Sequence, residues 1–185
     1  MSRFIVASLL FSFLMLPLPA NCQEISGPAV TLNNNDIYVT FSLKLDVKRV
    51  REIKEGIDKE LKLYVDLFKV WNAWPDEFVL GKVFTRTLKC DPIKGEYVAT
   101  SLSGNVLTER RFRSFDSMLT WTLSVKDIKL ASTRELEPGQ YFVRITAESR
   151  IRKLPPVIGY FMIFVSENEF KIRKDSAVFV IGGAG

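Results

Sequence analysis

The side chains of this chain that would carry chemistry are two tryptophans three residues apart, two arginine clusters, a few acid pairs and two cysteines. Histidine is absent from all 185 positions. That removes a Ser-His-Asp triad, a Cys-His dyad, a His-ligated zinc site and a histidine proton shuttle. The acid pairs Asp76-Glu77 and Glu135/Glu137 would suit glycoside hydrolysis only if two carboxyls faced each other across a cleft. They fall in segments that read as turns, where acidic side chains are simply solvated. No phosphate-cradling P-loop, dinucleotide-binding glycine pattern, Cys pair or acidic calcium loop occurs. The expectation is no cofactor, no metal and no catalytic residue, with a carboxylate-based hydrolase only the third-ranked reading.

Binding is better provided for than catalysis. Trp71 and Trp74 flank a turn and end at Pro75. They would form an aromatic platform for a sugar or peptide, or else pin the corner to the core, since large aromatics dominate both interfaces and cores. Arg110, Arg111 and Arg113 interleave with Phe112, and Arg150, Arg152 and Lys153 form a second cluster. In a strand, Arg111 and Arg113 share one face, as do Arg150 and Arg152. Such faces would bind anionic lipid, polyanionic glycan or an acidic partner through planar guanidinium forks, or would be solvated faces only. The balance of 26 basic against 21 acidic residues, a net charge of +5, is a mild excess. Nucleic acid is not expected without a recognisable nucleic-acid-binding motif.

Composition and the N-terminus bound the rest. Hydrophobic residues make up 47% and charged residues 25%, as in an average soluble globular protein. Arg3 precedes thirteen apolar or small residues, 4–16, closed by Pro17 and Pro19. About 20 apolar residues are needed to span a bilayer, so residues 1–22 read as a secretory signal peptide, with 23–185 as a single β-rich domain. Cleavage before Gln23 is preferred to cleavage before Asn21, and lipidation of Cys22 fits poorly after Asn21. Loss of Cys22 leaves Cys90 as the single thiol; its retention would permit a bridge to Cys90. Cys90 itself reads as a small half-buried residue rather than a nucleophile.

The elements that must position these residues follow from periodicity. Ile37, Val39, Phe41, Leu43 and Leu45 alternate as a half-buried strand. Val47, Val50, Ile53 and Ile57 recur at helical spacing, with Asp46 as N-cap and Gly56 as stop. Residues 57–68 alternate longest, with Ile57, Lys59, Leu61, Leu63, Val65 and Leu67 on one face. A strand over 78–90 follows the tryptophan corner, with Phe78, Leu80, Phe84 and Leu88 on one side. Asp91-Pro92-Ile93-Lys94-Gly95 reads as a hairpin loop, leading to a strand over 96–102 and a turn at Ser103-Gly104-Asn105. Ser114 caps a helix carrying Phe115, Met118, Leu119 and Thr122. Residues 141–151 alternate again, and 170–181 read as one final strand. Residues 157–165 (VIGYFMIFV), led by Pro155-Pro156, are apolar on every side, and periodicity does not separate a buried strand, a core helix or an exposed interface. The fold expected is mainly β (α+β by strict count), an antiparallel β-sandwich-like domain with two short helices.

In this order the pieces resemble a known family. They are the export signal, Gly56-Ile57, the strand Leu61-Lys62-Leu63-Tyr64-Val65-Asp66-Leu67, the Trp71/Trp74 corner with Asp76-Glu77, and Leu136-Glu137-Pro138-Gly139-Gln140-Tyr141 followed by Leu154-Pro155. Together they resemble the bacterial domain of unknown function 4390 family over nearly all of the mature chain. The resemblance implies an exported, periplasmic protein of Gram-negative bacteria, with membrane association left open. It implies no established activity and no catalytic residues. Members look to be encoded beside envelope two-component sensors, which implies an accessory role for a protein partner. The chain departs from the family in the hydrophobicity of residues 157–165. The leading functional expectation is a non-catalytic envelope interaction module, with Trp71, Trp74, Arg111, Arg113, Arg150 and Arg152 as candidate binding surface.

Overall fold

A computed structural model describes residues 23–151 and 168–182. The signal segment, Cys22, Arg152 and residues 157–165, with the expectations attached to them, lie outside the described residues. Two antiparallel sheets face each other. The smaller contains β1 (Glu24–Asn33), β2 (Asp36–Lys44) and β7 (Ser124–Ser132) in the order β1-β2-β7. The larger runs β10-β8-β3-β4-β5-β6, with β9 sharing β10's edge of β8. Its strands are β3 (Lys59–Lys69), β4 (Glu77–Asp91), β5 (Glu96–Ser103), β6 (Val106–Phe112), β8 (Gly139–Ile151), β9 (Asn168–Asp175) and β10 (Phe179–Ile181). The sandwich-like, mainly antiparallel β fold expected from periodicity is the one observed.

The central strand shows why. Every second residue of β3, from Lys59 to Lys69, is buried, and the residues between are half-buried. Leu61, Leu63, Val65 and Leu67 face Ile37, Val39, Phe41 and Leu43 of β2 in one core. Each such side chain contributes roughly 1.5–3 kcal/mol on burial. Helix α1 (Val47–Lys54) starts where Asp46 accepts from the Arg49 N–H at 2.8 Å and ends before Gly56, whose φ of +94° suits glycine. Helix α2 (Phe115–Leu123) is capped by Ser114, buries Phe115, Met118, Thr122 and Leu123, and packs against β4, β5, β6 and β7. No helix among the described residues is long and apolar enough to cross a membrane.

Three strands had no clear periodic signal. In β1 the register shifts between Ser26 and Ala29, so its apolar residues fall out of step. β7 carries two register shifts against β2, with Asp127 at φ +49° donating its N–H to Thr40 Oγ1. β6 is an edge strand exposed along almost its whole length, so nothing selects alternation. Two expectations are corrected. Phe78 does not share a face with Leu80, because a bulge pairs Leu67 with Leu80 but Phe68 with Phe78, which turns Phe78 to the outer face. Residues 170–181 are two strands, not one: β9 ends at Asp175 and β10 begins at Phe179, both on β8.

The register defines two ends. At the basal end lie the start of β3, the end of β4, the start of β5, and the ends of β6 and β8 with the start of β9. Helix α1 belongs there too, through Lys59–Glu52, and Gln23 through its bond to Asp46. The opposite, apical end carries the 70–76 corner, the 136–141 segment and the Asn34-Asn35 hairpin, whose Asn35 carbonyl accepts from the Thr133 N–H.

Candidate functional site at an aromatic corner

At the apical end the chain leaves β3 after Lys69 and returns in β4 at Glu77. Lys69 is buried on the core face, and its Nζ donates to Glu137 Oε2 at 2.5 Å. The Val70 N–H continues the β3–β8 ladder by donating to the Gln140 carbonyl at 2.8 Å. Tyr141, buried and stacked on Phe179, donates its hydroxyl to the Glu137 carbonyl at 2.7 Å. A Cβ at Gly139 would sit 3.2 Å from Lys69 Cε, so this close approach favours glycine. Two stretches some seventy residues apart thus form one frame, the tryptophan corner and the Glu137-Pro138-Gly139-Gln140-Tyr141 block.

The frame fixes Trp71. Lys69 Nζ lies 4.7 Å from the Trp71 ring centroid, a cation–π contact, and the indole N–H donates to Glu77 Oε2 at 3.1 Å. Trp74 is 77% exposed. Trp71 is 45% exposed, so both indoles reach solvent. The hydrogen bond from Lys69 holds the Glu137 carboxyl below the usual carboxylate range, and the same bond raises Lys69. One carboxyl of each acid pair is thereby engaged, Glu77 by Trp71 and Glu137 by Lys69.

Sequence reasoning missed the aromatic floor behind the corner, on the outer face of the large sheet. Phe68 stacks on Phe142 at 5.3 Å and meets Phe78 edge-on at 5.8 Å. Arg144 lies 4.8 Å from the Phe68 centroid and is held by both Asp175 oxygens at 2.7 and 2.8 Å. Burial raises the pKa of the neighbouring Asp66 while Arg144 pulls it down. Phe78 remains 56% exposed. The signal available was the period of β3 itself, which places Phe68 opposite to Leu67.

The arginines lie elsewhere. Arg150 stands opposite Glu60, half-buried and engaged, as one rung of an outer-face ladder. The other rungs run Asp66–Arg144–Asp175 and Lys62–Glu148–Lys171 across β3, β8 and β9. Acid and base alternate across it, which suits mutual neutralisation. Arg111 is exposed on β6, with Val98 between it and Lys89, and Arg113 is exposed just beyond. Arg111 and Arg150 share the basal end but are four strand spacings apart, about 19 Å, so the two clusters are not one fork. Arg110 instead covers the Trp121 ring at 5.3 Å.

Cys90 is buried at the end of β4, its Sγ 3.6 Å from the Lys54 carbonyl. Burial, then Asp91, pushes its thiol pKa up. In a Cys22→Ser chain, the native protein is expected to leave Cys90 unmodified by a thiol reagent at pH 8 until unfolded. Stoichiometric labelling of the folded protein would restore the nucleophile reading. Among the described residues no group of three or more Cys, Asp and Glu could hold a metal ion.

A mainly antiparallel sandwich with two short helices and an aromatic corner framed by a Pro-Gly-x-Tyr turn is the class these features define. The chain belongs to the family of the domain of unknown function (DUF4390), whose model matches residues 22–176. No curated protein and no solved structure matches it.

Proposed function

We propose that this chain is a non-catalytic exported envelope protein, a periplasmic accessory module that binds a protein partner, such as a sensor, through the corner that carries Trp71 and Trp74. The observation that carries this reading is the 77% exposure of Trp74, beside a frame held by the Lys69–Glu137 pair and the Tyr141 hydroxyl. A rigid frame presenting large aromatics to solvent has the composition of an interface hot spot, because little conformational freedom is lost on docking. The export assignment is supported by the charged, short apolar N-terminus.

In-cell crosslinking from position 74 tests it, with mass spectrometry of the captured protein and of the mature N-terminal peptide. A reproducible envelope partner is expected, together with an N-terminus at Gln23. Trp74→Ala should weaken that complex about thirtyfold, the scale of a single hot spot, without moving the melting temperature. Equal capture by the Trp74→Ala protein would remove the corner from the interface.

A further inference from the structure

The basal end carries an apolar tip set among cations. The β4–β5 hairpin turns at Pro92–Gly95, and its tip residue Ile93 is 95% exposed. Asp91 Oδ1 accepts from the Ile93 and Lys94 N–H groups at 3.0 and 3.1 Å, which fixes the tip's shape. Gly95 supplies the positive φ of +66° that closes it. An isoleucine built onto a defined turn and left in water has no role in the core.

Cations predominate around it, and the exposed Glu55, C-cap of α1, lies at the same end. Lys89 and Arg111 flank Val98 on the same face, two rows behind the Asp91–Glu96 neck, and Arg113 follows the end of β6 nearer the tip. Lys54, at the end of α1, is placed there by the bond from Cys90 to its carbonyl. All are exposed. The hairpin's own acids, Asp91 and Glu96, sit opposite each other at its neck, with Asp91 also 3.9 Å from Lys94.

Three of the chain's four connections to residues outside the described structure also lie here, the fourth following Gly182 at the apical end. Gln23, preceded in sequence by the apolar run 4–16, bonds to Asp46 beside α1. β8 ends and β9 begins at this level, and the sequence between them contains VIGYFMIFV at 157–165. Three of the four chain crossings thus share one end with the cations and Ile93.

We infer that the basal end docks on an anionic lipid surface, with Ile93 entering the headgroup region and Lys54, Lys89, Lys94, Arg111 and Arg113 facing the phosphates. Apolar insertion and electrostatic attraction add in such contacts. Eleven residues of β3 then hold the tryptophan corner about 34 Å from that surface, facing away from the lipid.

Flotation of the full chain with vesicles tests this, comparing phosphatidylethanolamine–phosphatidylglycerol with phosphatidylcholine. At least tenfold preference for the anionic vesicles is expected, falling steeply with added salt. Arg111→Glu/Arg113→Glu should abolish the preference, and Ile93→Asp should weaken binding severalfold. Arg134→Glu, an exposed arginine at the apical end, should leave it intact. Equal partition into both vesicle types, salt-insensitive binding, or full preference in the correctly folded double variant would overturn the proposal. Capture of a protein at position 93 with no anionic preference would overturn it in favour of a second protein interface. The salt dependence of the unmodified chain stands even if the double variant fails to fold. Trp74→Ala should not change vesicle binding, so this inference and the partner reading fail separately.

Discussion

Lys59→Met is expected to cost about 3 kcal/mol of unfolding free energy in urea. Lys59 lies on the core face of β3 and is 2% exposed, yet it carries a charged head. Its Nζ meets Glu52 of α1 at 2.7 Å and also Glu169 of β9, which in turn accepts from the Ser149 hydroxyl at 2.9 Å. Arg49 adds a bond from Nη2 to the Glu169 carbonyl at 3.0 Å and stacks on Phe170. One lysine therefore ties α1 and β9 to the central strand. Removing it strands two carboxylates at a largely dry junction, which is where the cost arises. Side-chain exposures of 22% for Glu52 and 14% for Glu169 admit some water, which places the loss at the low end of the range for broken buried pairs. Adding Glu52→Gln and Glu169→Gln should recover most of that loss, because neutral amides no longer need the cation. A Lys59→Met protein as stable as its parent would show that the junction is solvated and the network incidental.

Arg86→Met should lower stability by a similar amount, about 3 kcal/mol, but through a helix end. Arg86 is buried on β4, and its Nη1 donates to the carbonyls of Trp121, Thr122 and Ser124 at 2.9, 2.6 and 2.8 Å. Those are last-turn and cap acceptors of α2, which have no partner within the helix, and a cation there also meets the negative end of its dipole. Burial pulls the guanidinium pKa down to about 10, so the charge is held at a cost that the three carbonyls offset only in part. The sign follows: the penalty acts in full below pH 10 and is relieved as the pH climbs from there toward the ordinary arginine range, so this group's contribution to stability increases across that window. Arg86→Lys should lose roughly half as much, since a point charge satisfies fewer acceptors. Hydrogen exchange across residues 121–125 separates the mechanisms. Faster exchange there than elsewhere is expected, and uniform acceleration would mean that Arg86 supports the core generally rather than the end of α2.

Much of the architecture was legible because burial imposes a period. β2, β3 and β8 each have one face on the core, so Leu61 to Leu67 and Tyr141 to Ala147 alternate as hydrophobicity requires. Both helices announced themselves by Asp46 and Ser114, whose caps depend on neighbours three residues away. β1, β6 and β7 were not legible, since register shifts and an exposed edge remove the period that pattern reading needs. The tryptophans were identified as candidates, but their exposure was not, because indole serves a core and a surface equally well.

By itself the sequence determined the fold class, the two helices, the absence of histidine chemistry and the family. These depend on residue type and on contacts close along the chain. Tertiary structure alone decided which face Phe78 takes, that Arg150 is a rung among alternating charges, and that Lys69 joins the tryptophan corner to Glu137. It also decided that Ile93, Arg111 and three of the four chain crossings share one end. Each of these depends on strand register, and register is a property of paired segments far apart in sequence, where one bulge is enough to exchange the faces of a sheet.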